Sequence, residues 1–247
     1  MPLNEDFVRQ GTWLFRWRSY VPIAFLLLLF TQVPSYRYLG GSRLLEMRWE
    51  VLCVLVSLAG LAVRIHTVGH AACRTSGRNT RSQVADQLNT SGMYSVVRHP
   101  LYLGNFLMWL GVAMFLHTWW MVLLVSAGYA LYYERIMYAE ENFLCGKFTG
   151  GYVEWASRTP AFIPAPRLWR PAELPFCLRT VLRREYSGFF GLILTFAVLQ
   201  VASDSAVQRR LVLDPVWMTL LGAALSLFLV LRFLKRHTAV LKVTGRS

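Results

Sequence analysis

Residues 101–133 contain no Asp, Glu, Lys or Arg. As one straight helix this stretch would be roughly 50 Å long at about 1.5 Å per residue, against a hydrocarbon layer about 30 Å thick. It must fold back. The polar pair His117-Thr118 marks the turn. The pattern predicts two short helices in a tight hairpin, the second continuing past the membrane into "ERIMYAEENFL". The rest of the chain fits the same solvent, being 55% hydrophobic and 16% charged, whereas a soluble domain carries roughly 25% charge.

Further apolar runs lie at 20–36, 49–66, 186–203 and 216–234. With the hairpin they predict an all-α, polytopic membrane protein of about six transmembrane helices. A basic flank precedes the first run, but Val33, Pro34 and Ser35 make a poor cleavage site, so it reads as a signal anchor. Arg64 falls near the end of the second run, where it is expected to snorkel to the cytoplasmic surface. Lys and Arg set the orientation. With the N-terminus in the cytoplasm, 20 basic residues lie inside and five outside. Both termini are then cytoplasmic, as in a bacterial inner-membrane protein. Three segments follow: N-terminal helices over 1–72, a core with the hairpin and a cytoplasmic cover over 73–175, and a helix pair over 176–247. The 147–175 segment, with five prolines after residue 158, is expected to be too rigid for a helix.

Charge and cysteine exclude some functions. The net charge of +13 is carried beside apolar runs, so orientation in a bilayer explains it without nucleic acid. The cysteines lie far apart and form no C-x-x-C pair, which leaves neither a disulfide framework nor a zinc signature. His66 and His70 are four apart, but no H-E-x-x-H carboxylate accompanies them, so they read as interfacial histidines and no metal is expected.

Two groups of residues carry chemistry. Before the hairpin stands "SVVRHPLYLG". Pro100 suits a first helical turn and places His99 near the N-cap. The free N–H groups and positive dipole end there are a natural seat for a carboxylate or phosphate, with Arg98, Tyr94 and Tyr102 around it. A plainly capped helix with an interfacial arginine is the alternative. Past the hairpin come Glu140 and Glu141, which either pair with loop charges or, because the helix returns to the same face, meet His99.

These residues resemble a known family. "LNTSGMYSVVRHPLYLG" and "EENFLCGKFTGGYVEWASRTPAFIP" are similar, in order and across a hairpin, to the pattern of integral-membrane methyltransferases of the isoprenylcysteine carboxyl methyltransferase and phospholipid methyltransferase type. The resemblance covers residues 79–166. It implies S-adenosylmethionine as methyl donor. It also implies a cofactor site of Tyr94, His99, Pro100, Leu101 and Tyr102, with Asp86, Gln87, Leu88 and Asn89 in a preceding loop, Asn79 at a more distant contact, and Glu140 from the second half. Where the carboxyl methyltransferases carry a substrate-binding arginine, one turn before that glutamate, this chain has Ile136; its neighbour Arg135 is the expected substitute. Trp155 stands where tyrosine is common. The implied partner is a membrane lipid or lipid-linked acceptor, preferably through a phosphate or carboxylate oxygen. An amine headgroup, a small thiol, or a non-enzymatic transporter or regulator on the same hairpin are the alternatives. A transporter would carry buried acidic residues within its spans, and none stands at mid-span in the sequence.

Overall fold

In the computed structural model, residues 3–72 and 85–246 are described, and among them the fold is all-α. Eight α-helices occur: α1 (Leu3–Trp17), α2 (Val21–Phe30), α3 (Arg43–His70), α4 (Met93–Val96), α5 (Pro100–Met114), α6 (Trp119–Arg158), α7 (Leu178–Gln208) and α8 (Pro215–His237). Three of them, α3, α7 and α8, are long and apolar enough to cross a membrane, and Ile23–Ser35 and α5 are shorter apolar helices. The first apolar run is therefore less regular than expected. Its helix α2 has 10 residues, about 15 Å, and continues only through a single 3₁₀ turn at Val33–Ser35.

The hairpin forms where the absence of charge demands it. Its tip is buried through Phe115 and Leu116, and the chain reverses at His117 with φ 52°. Tyr36 stacks on the His117 ring at 5.2 Å, and His117 Nε2 lies 2.9 Å from Glu46 Oε1. Glu46 also accepts from the Tyr36 hydroxyl and the Leu39 N–H. The tip is thereby fastened to the start of α3. Nearby, Arg43 binds Glu50 at 2.7 Å, Asp204 at 3.5 Å and Asp214 at 3.6 Å, while Tyr38 and Gln200 donate to Asp204. Buried carboxylates at this end of the bundle thus share one guanidinium among α3, α7 and the entry to α8.

α3 and α5 run antiparallel and pack at backbone distance. A Cβ at Gly104 would lie 2.7 Å from the Gly60 carbonyl and 2.6 Å from Arg64 Cγ, and one at Gly111 would strike the Cys53 carbonyl and Ser57. Small residues let apolar helices approach this closely. Polar ties run along the same seam: Trp49 Nε1 to the Met114 carbonyl, Ser57 Oγ to the Met108 carbonyl, and Arg64 to Asn105 Oδ1 at 2.7 Å. Arg64 also forks onto both carboxylate oxygens of Glu185 at 2.9 and 2.8 Å. It does not snorkel. It bridges α3, α5 and α7 from within, because a charge that has bidentate and amide partners inside gains nothing by leaving them.

One further expectation is corrected, and one helix is added. Residues 147–158 are helical, since α6 reaches Arg158 across a break at Thr149 with φ 37° and ψ −113°; only the prolines from Pro160 onward keep the chain irregular. Ahead of the first apolar run, α1 is an amphipathic helix that the sequence reading passed over. Glu5 and Asp6 in its first turn and Arg16 in its last suit its dipole. It lies on α6, where Gly11 leaves no room for a Cβ against the Arg135 carbonyl and Ala139.

Candidate active site

Gly92 opens the site. With φ 59° and ψ −132° it takes a backbone conformation costly for any residue with a Cβ, and its N–H donates to the Arg170 carbonyl at 3.0 Å. The single turn of α4 follows and presents Tyr94, then Val97 is extended and His99 caps α5 ahead of Pro100. The anticipated free N–H groups of this helix end are partly used. Arg98 and His99 donate their backbone N–H to the carbonyls of Pro160 and Ala161 at 2.8 and 3.2 Å, and Ala165 returns a bond to the Val96 carbonyl. The proline-rich segment is thus laced onto 96–99 as a cover.

The anion seated at this helix end is the protein's own. Glu141 Oε2 accepts from Arg98 at 2.8 Å and Glu141 Oε1 lies 2.8 Å from His99 Nε2. Burial opposes ionisation of Glu141, yet the His99 hydrogen bond and the charges of His99 and Arg98 outweigh it and hold its carboxyl below the ordinary carboxylate range. The other ring nitrogen, His99 Nδ1, faces Glu140 Oε2 at 3.8 Å. The imidazole is 6% exposed and stacks on Tyr102 with centroids 5.6 Å apart. Tyr102 in turn meets Tyr133 at 5.0 Å, and Tyr133 stacks on Tyr129 at 4.1 Å. An aromatic wall therefore runs from the pair of glutamates into the hairpin.

Around this wall Asn89 Nδ2, Glu140 Oε2 and Arg98 Nε are buried without a well-formed hydrogen bond among the described residues, while Tyr94 lies beside Asn89 and Tyr102 beside Glu140. Orphaned buried polar atoms cost stability unless a ligand or water meets them. Burial pushes the Tyr94 hydroxyl well up, with the Glu140 charge adding to it, so it stays a neutral donor and a neutral aromatic face. A donor amide, an acceptor carboxylate and two phenol rings at one place fit S-adenosylmethionine, which carries an ammonium, a carboxylate, ribose hydroxyls and a sulfonium.

Of the residues anticipated from sequence, Tyr94, His99, Tyr102, Glu140 and Asn89 meet here, with Pro100 and Leu101 in the first turn of α5. Leu88 is half-buried on the approaching loop, whereas Asp86 and Gln87 are exposed. Asn79 lies outside the described residues. Arg135 sits apart: its guanidinium stacks over Phe7 of α1 at 3.5 Å and lies 3.6 Å from Glu134. Two participants, Tyr152 and Arg18, carry no signal in the sequence, and a third, Glu141, is singled out there without a role of its own. Glu141 was paired with Glu140 in the sequence, but which carboxylate meets Arg98 depends on helix phase. Tyr152 lies beyond the kink and comes back beside Glu141 and Arg98. Arg18, half-buried just past α1, stacks over Phe15 at 3.8 Å, and Phe15 packs in one cluster with Tyr102, Tyr129, Tyr132 and Tyr133. The His66 and His70 rings lie 4.6 Å apart, tilted by 46°, and among the described residues no group of three His, Cys, Asp or Glu stands close enough to hold a metal ion.

Comparison with known proteins bears on this arrangement. Residues 48–149 match the family model "Phospholipid methyltransferase", a stretch that takes in most of α3, the hairpin and both glutamates. The chain is 36% identical over 173 residues to the cobalt-zinc-cadmium resistance protein CzcN of Cupriavidus metallidurans, covering 67% of this chain and 77% of that protein. It is 31% identical over 128 residues to the nickel-cobalt-cadmium resistance protein NccN of Alcaligenes xylosoxydans xylosoxydans, covering 50% of this chain and 57% of the relative. With the protein-S-isoprenylcysteine O-methyltransferase of Schizosaccharomyces pombe it shares 34% identity over 77 residues, 31% of this chain and 33% of the enzyme. No solved structure matches. A match that takes in both halves of the hairpin, together with an extended relationship to CzcN, establishes that the chain belongs to the phospholipid methyltransferase family.

Proposed function

We propose that the protein is a membrane-embedded, S-adenosylmethionine-dependent methyltransferase whose acceptor is a lipid or lipid-linked oxyanion. The observation that carries this reading is the placement of His99 between Glu140 and Glu141, against Tyr102, with buried donor and acceptor atoms beside it that lack a well-formed hydrogen bond among the described residues. When bound, S-adenosylmethionine supplies an electrophilic methyl group on a sulfonium. Tyr94 and Tyr102 offer that cation aromatic faces, an attraction of about 0.5–2 kcal/mol. Glu140 accepts from its ammonium or ribose, and Asn89 donates. Glu141 fixes Arg98 and His99, so the wall is set before any ligand arrives. An acceptor that is already an anion needs no general base, and the protein's task is alignment.

The acceptor side is read from α1. Exposed Trp13, Trp17 and Tyr20 flank Arg18, the pattern of an interfacial aromatic belt. Arg18 then faces both the lipid boundary and the tyrosine wall, and we assign it the acceptor oxyanion. Arg135 is the rival guanidinium. Membranes containing the protein, given methyl-tritiated S-adenosylmethionine, are expected to place label in the solvent-extractable lipid fraction. Arg18→Ala is expected to cut that transfer about tenfold or more while cofactor binding holds, with Arg18→Lys recovering part of it, because lysine keeps charge but loses the planar fork. The same loss from Arg135→Ala and none from Arg18→Ala would move the assignment back to Arg135. No label with the wild-type protein would overturn the methyltransferase reading itself.

The reading also requires that the hairpin and the two-span pair after it return the chain to one side. With six crossings and both termini cytoplasmic, tags at either end are expected to be protease-accessible from the cytoplasm, and tags at 118 or 205 from the opposite face. Cytoplasmic access at 118 would defeat the shared site.

A further inference from the structure

A cleft of about 420 Å³, whose lining includes neither Tyr94 nor His99, lies between the end of α6 and the proline-rich cover. Arg158, Arg167 and Arg170 line it together with the indoles of Trp155 and Trp169 and the hydroxyl of Ser95, and Glu154 is its one carboxylate. Arg158 is 3.0 Å from Glu154. Arg167 and Arg170 have no ion-pair partner among the described residues. Three guanidiniums facing one carboxylate leave the cleft with a surplus of positive charge that its own walls do not answer.

The walls are firmly built. The Arg170 N–H donates to Ser95 Oγ at 2.9 Å and the Arg170 carbonyl accepts from Gly92. Trp155 Nε1 donates to the Tyr94 carbonyl at 3.2 Å, and Trp169 packs on His66 with centroids 5.5 Å apart. The backbone that carries these exposed arginines is therefore held in place. Guanidinium groups recognise phosphate oxygens by paired, charge-assisted hydrogen bonds, and indole faces hold the adjoining glycerol or sugar carbons.

We infer that this cleft is a phosphate-binding site, separate from the methyl-transfer site and taking the phosphate of a lipid headgroup or of a small soluble ester. Thr159 and Pro160 join its wall to the cover, and Pro160 and Ala161 carry the carbonyls bound by Arg98 and His99. A phosphate held by Arg158, Arg167 and Arg170 would tie the end of α6 to the far part of that cover. The inference stands on the cleft alone and survives if the methyl acceptor is of another class.

The test uses the full chain purified in neutral detergent. Native mass spectrometry with dioleoyl phosphatidylglycerol and dioleoyl phosphatidylcholine reports lipid retention, and calorimetry with glycerol 3-phosphate reports the soluble ligand. Retention of phosphatidylglycerol over phosphatidylcholine is expected, weakened about tenfold or more in R167Q/R170Q and unchanged in R209Q/R210Q, whose arginines lie at the turn before α8. R167K/R170K, which keeps the charge, should restore part of it and guards against misfolding. Glycerol 3-phosphate binding with the same dependence, without selective lipid retention, identifies the soluble source. If neither probe binds, or both glutamine variants lose binding equally, the cleft holds only general surface charge and the inference fails.

Discussion

His99→Ala and Glu140→Ala are each expected to weaken S-adenosylmethionine binding by about ten- to a hundred-fold, the equivalent of one charge-assisted hydrogen bond of roughly 1.5–3 kcal/mol. Neither side chain lies at mid-span, so both variants should insert and purify normally, and calorimetry in detergent reads the difference directly. Glu141→Gln should act differently. It keeps the shape but weakens the hold on Arg98 and His99 together, so affinity should fall along with the melting temperature of the apo protein. Acid should mimic it. The Glu141 carboxyl is held below its unfolded value, so its contribution is complete above that value, about pH 4.3, and is lost as the pH falls through the lower, folded one. Unchanged affinity in both His99→Ala and Glu140→Ala would return these residues to an ordinary helix cap and a surface pair.

Gly104→Leu is expected to be the most damaging single change to the fold. The site for its Cβ is already occupied by the Gly60 carbonyl and the Arg64 stem, so a leucine must separate α3 from α5 and pull Arg64 off Asn105 and Glu185. Overpacking costs typically about 1–3 kcal/mol, and a broken buried ion pair about 3–5 kcal/mol more. Loss of a cooperative unfolding transition in detergent is the expected result. Gly222→Leu is the control: nothing lies within 4 Å of its Cβ position on α8, and Leu220 and Leu225 near it are exposed, so it should melt as wild type does. Equal behaviour of the two variants would show that the seam between α3 and α5 is not close-packed.

Much of this arrangement was legible in the sequence, and the boundary of legibility has physical causes. A stretch of 33 uncharged residues leaves a chain no choice but to reverse, so the hairpin and its turn at His117 could be read directly. Pro100 and Gly92 likewise declare a helix start and a turn through their own backbone limits. Long-range partners are another matter. Arg64 finds Glu185 across 121 positions, and no local pattern says whether such an arginine turns toward water or toward a distant carboxylate. The helix α1 was invisible to a search for apolar runs because only one stripe of it is buried. Arg135 and Arg18 exchange prominence for the same reason: without α1 in view, the arginine nearest Glu140 in sequence is the natural choice.

The polar knot around Glu46 and Arg43 has a consequence for how the protein is made. Glu46 meets His117 only after 71 further residues, and Tyr38 waits 166 residues for Asp204. At about 5–20 residues per second of synthesis, those intervals are roughly 4–14 s and 8–33 s. During the first, the newly threaded α3 carries Glu46 with only Tyr36 and the Leu39 N–H for company; during the second, Glu50 has Arg43 to itself. Membrane integration of this chain is therefore sequential by charge as well as by hydropathy. The hairpin relieves the first carboxylate, and the final pair of helices delivers Asp204 and Asp214 to the shared guanidinium. A ribosome stalled before residue 204 should leave a nascent chain whose early helices are in the bilayer but remain substrates for quality-control proteases.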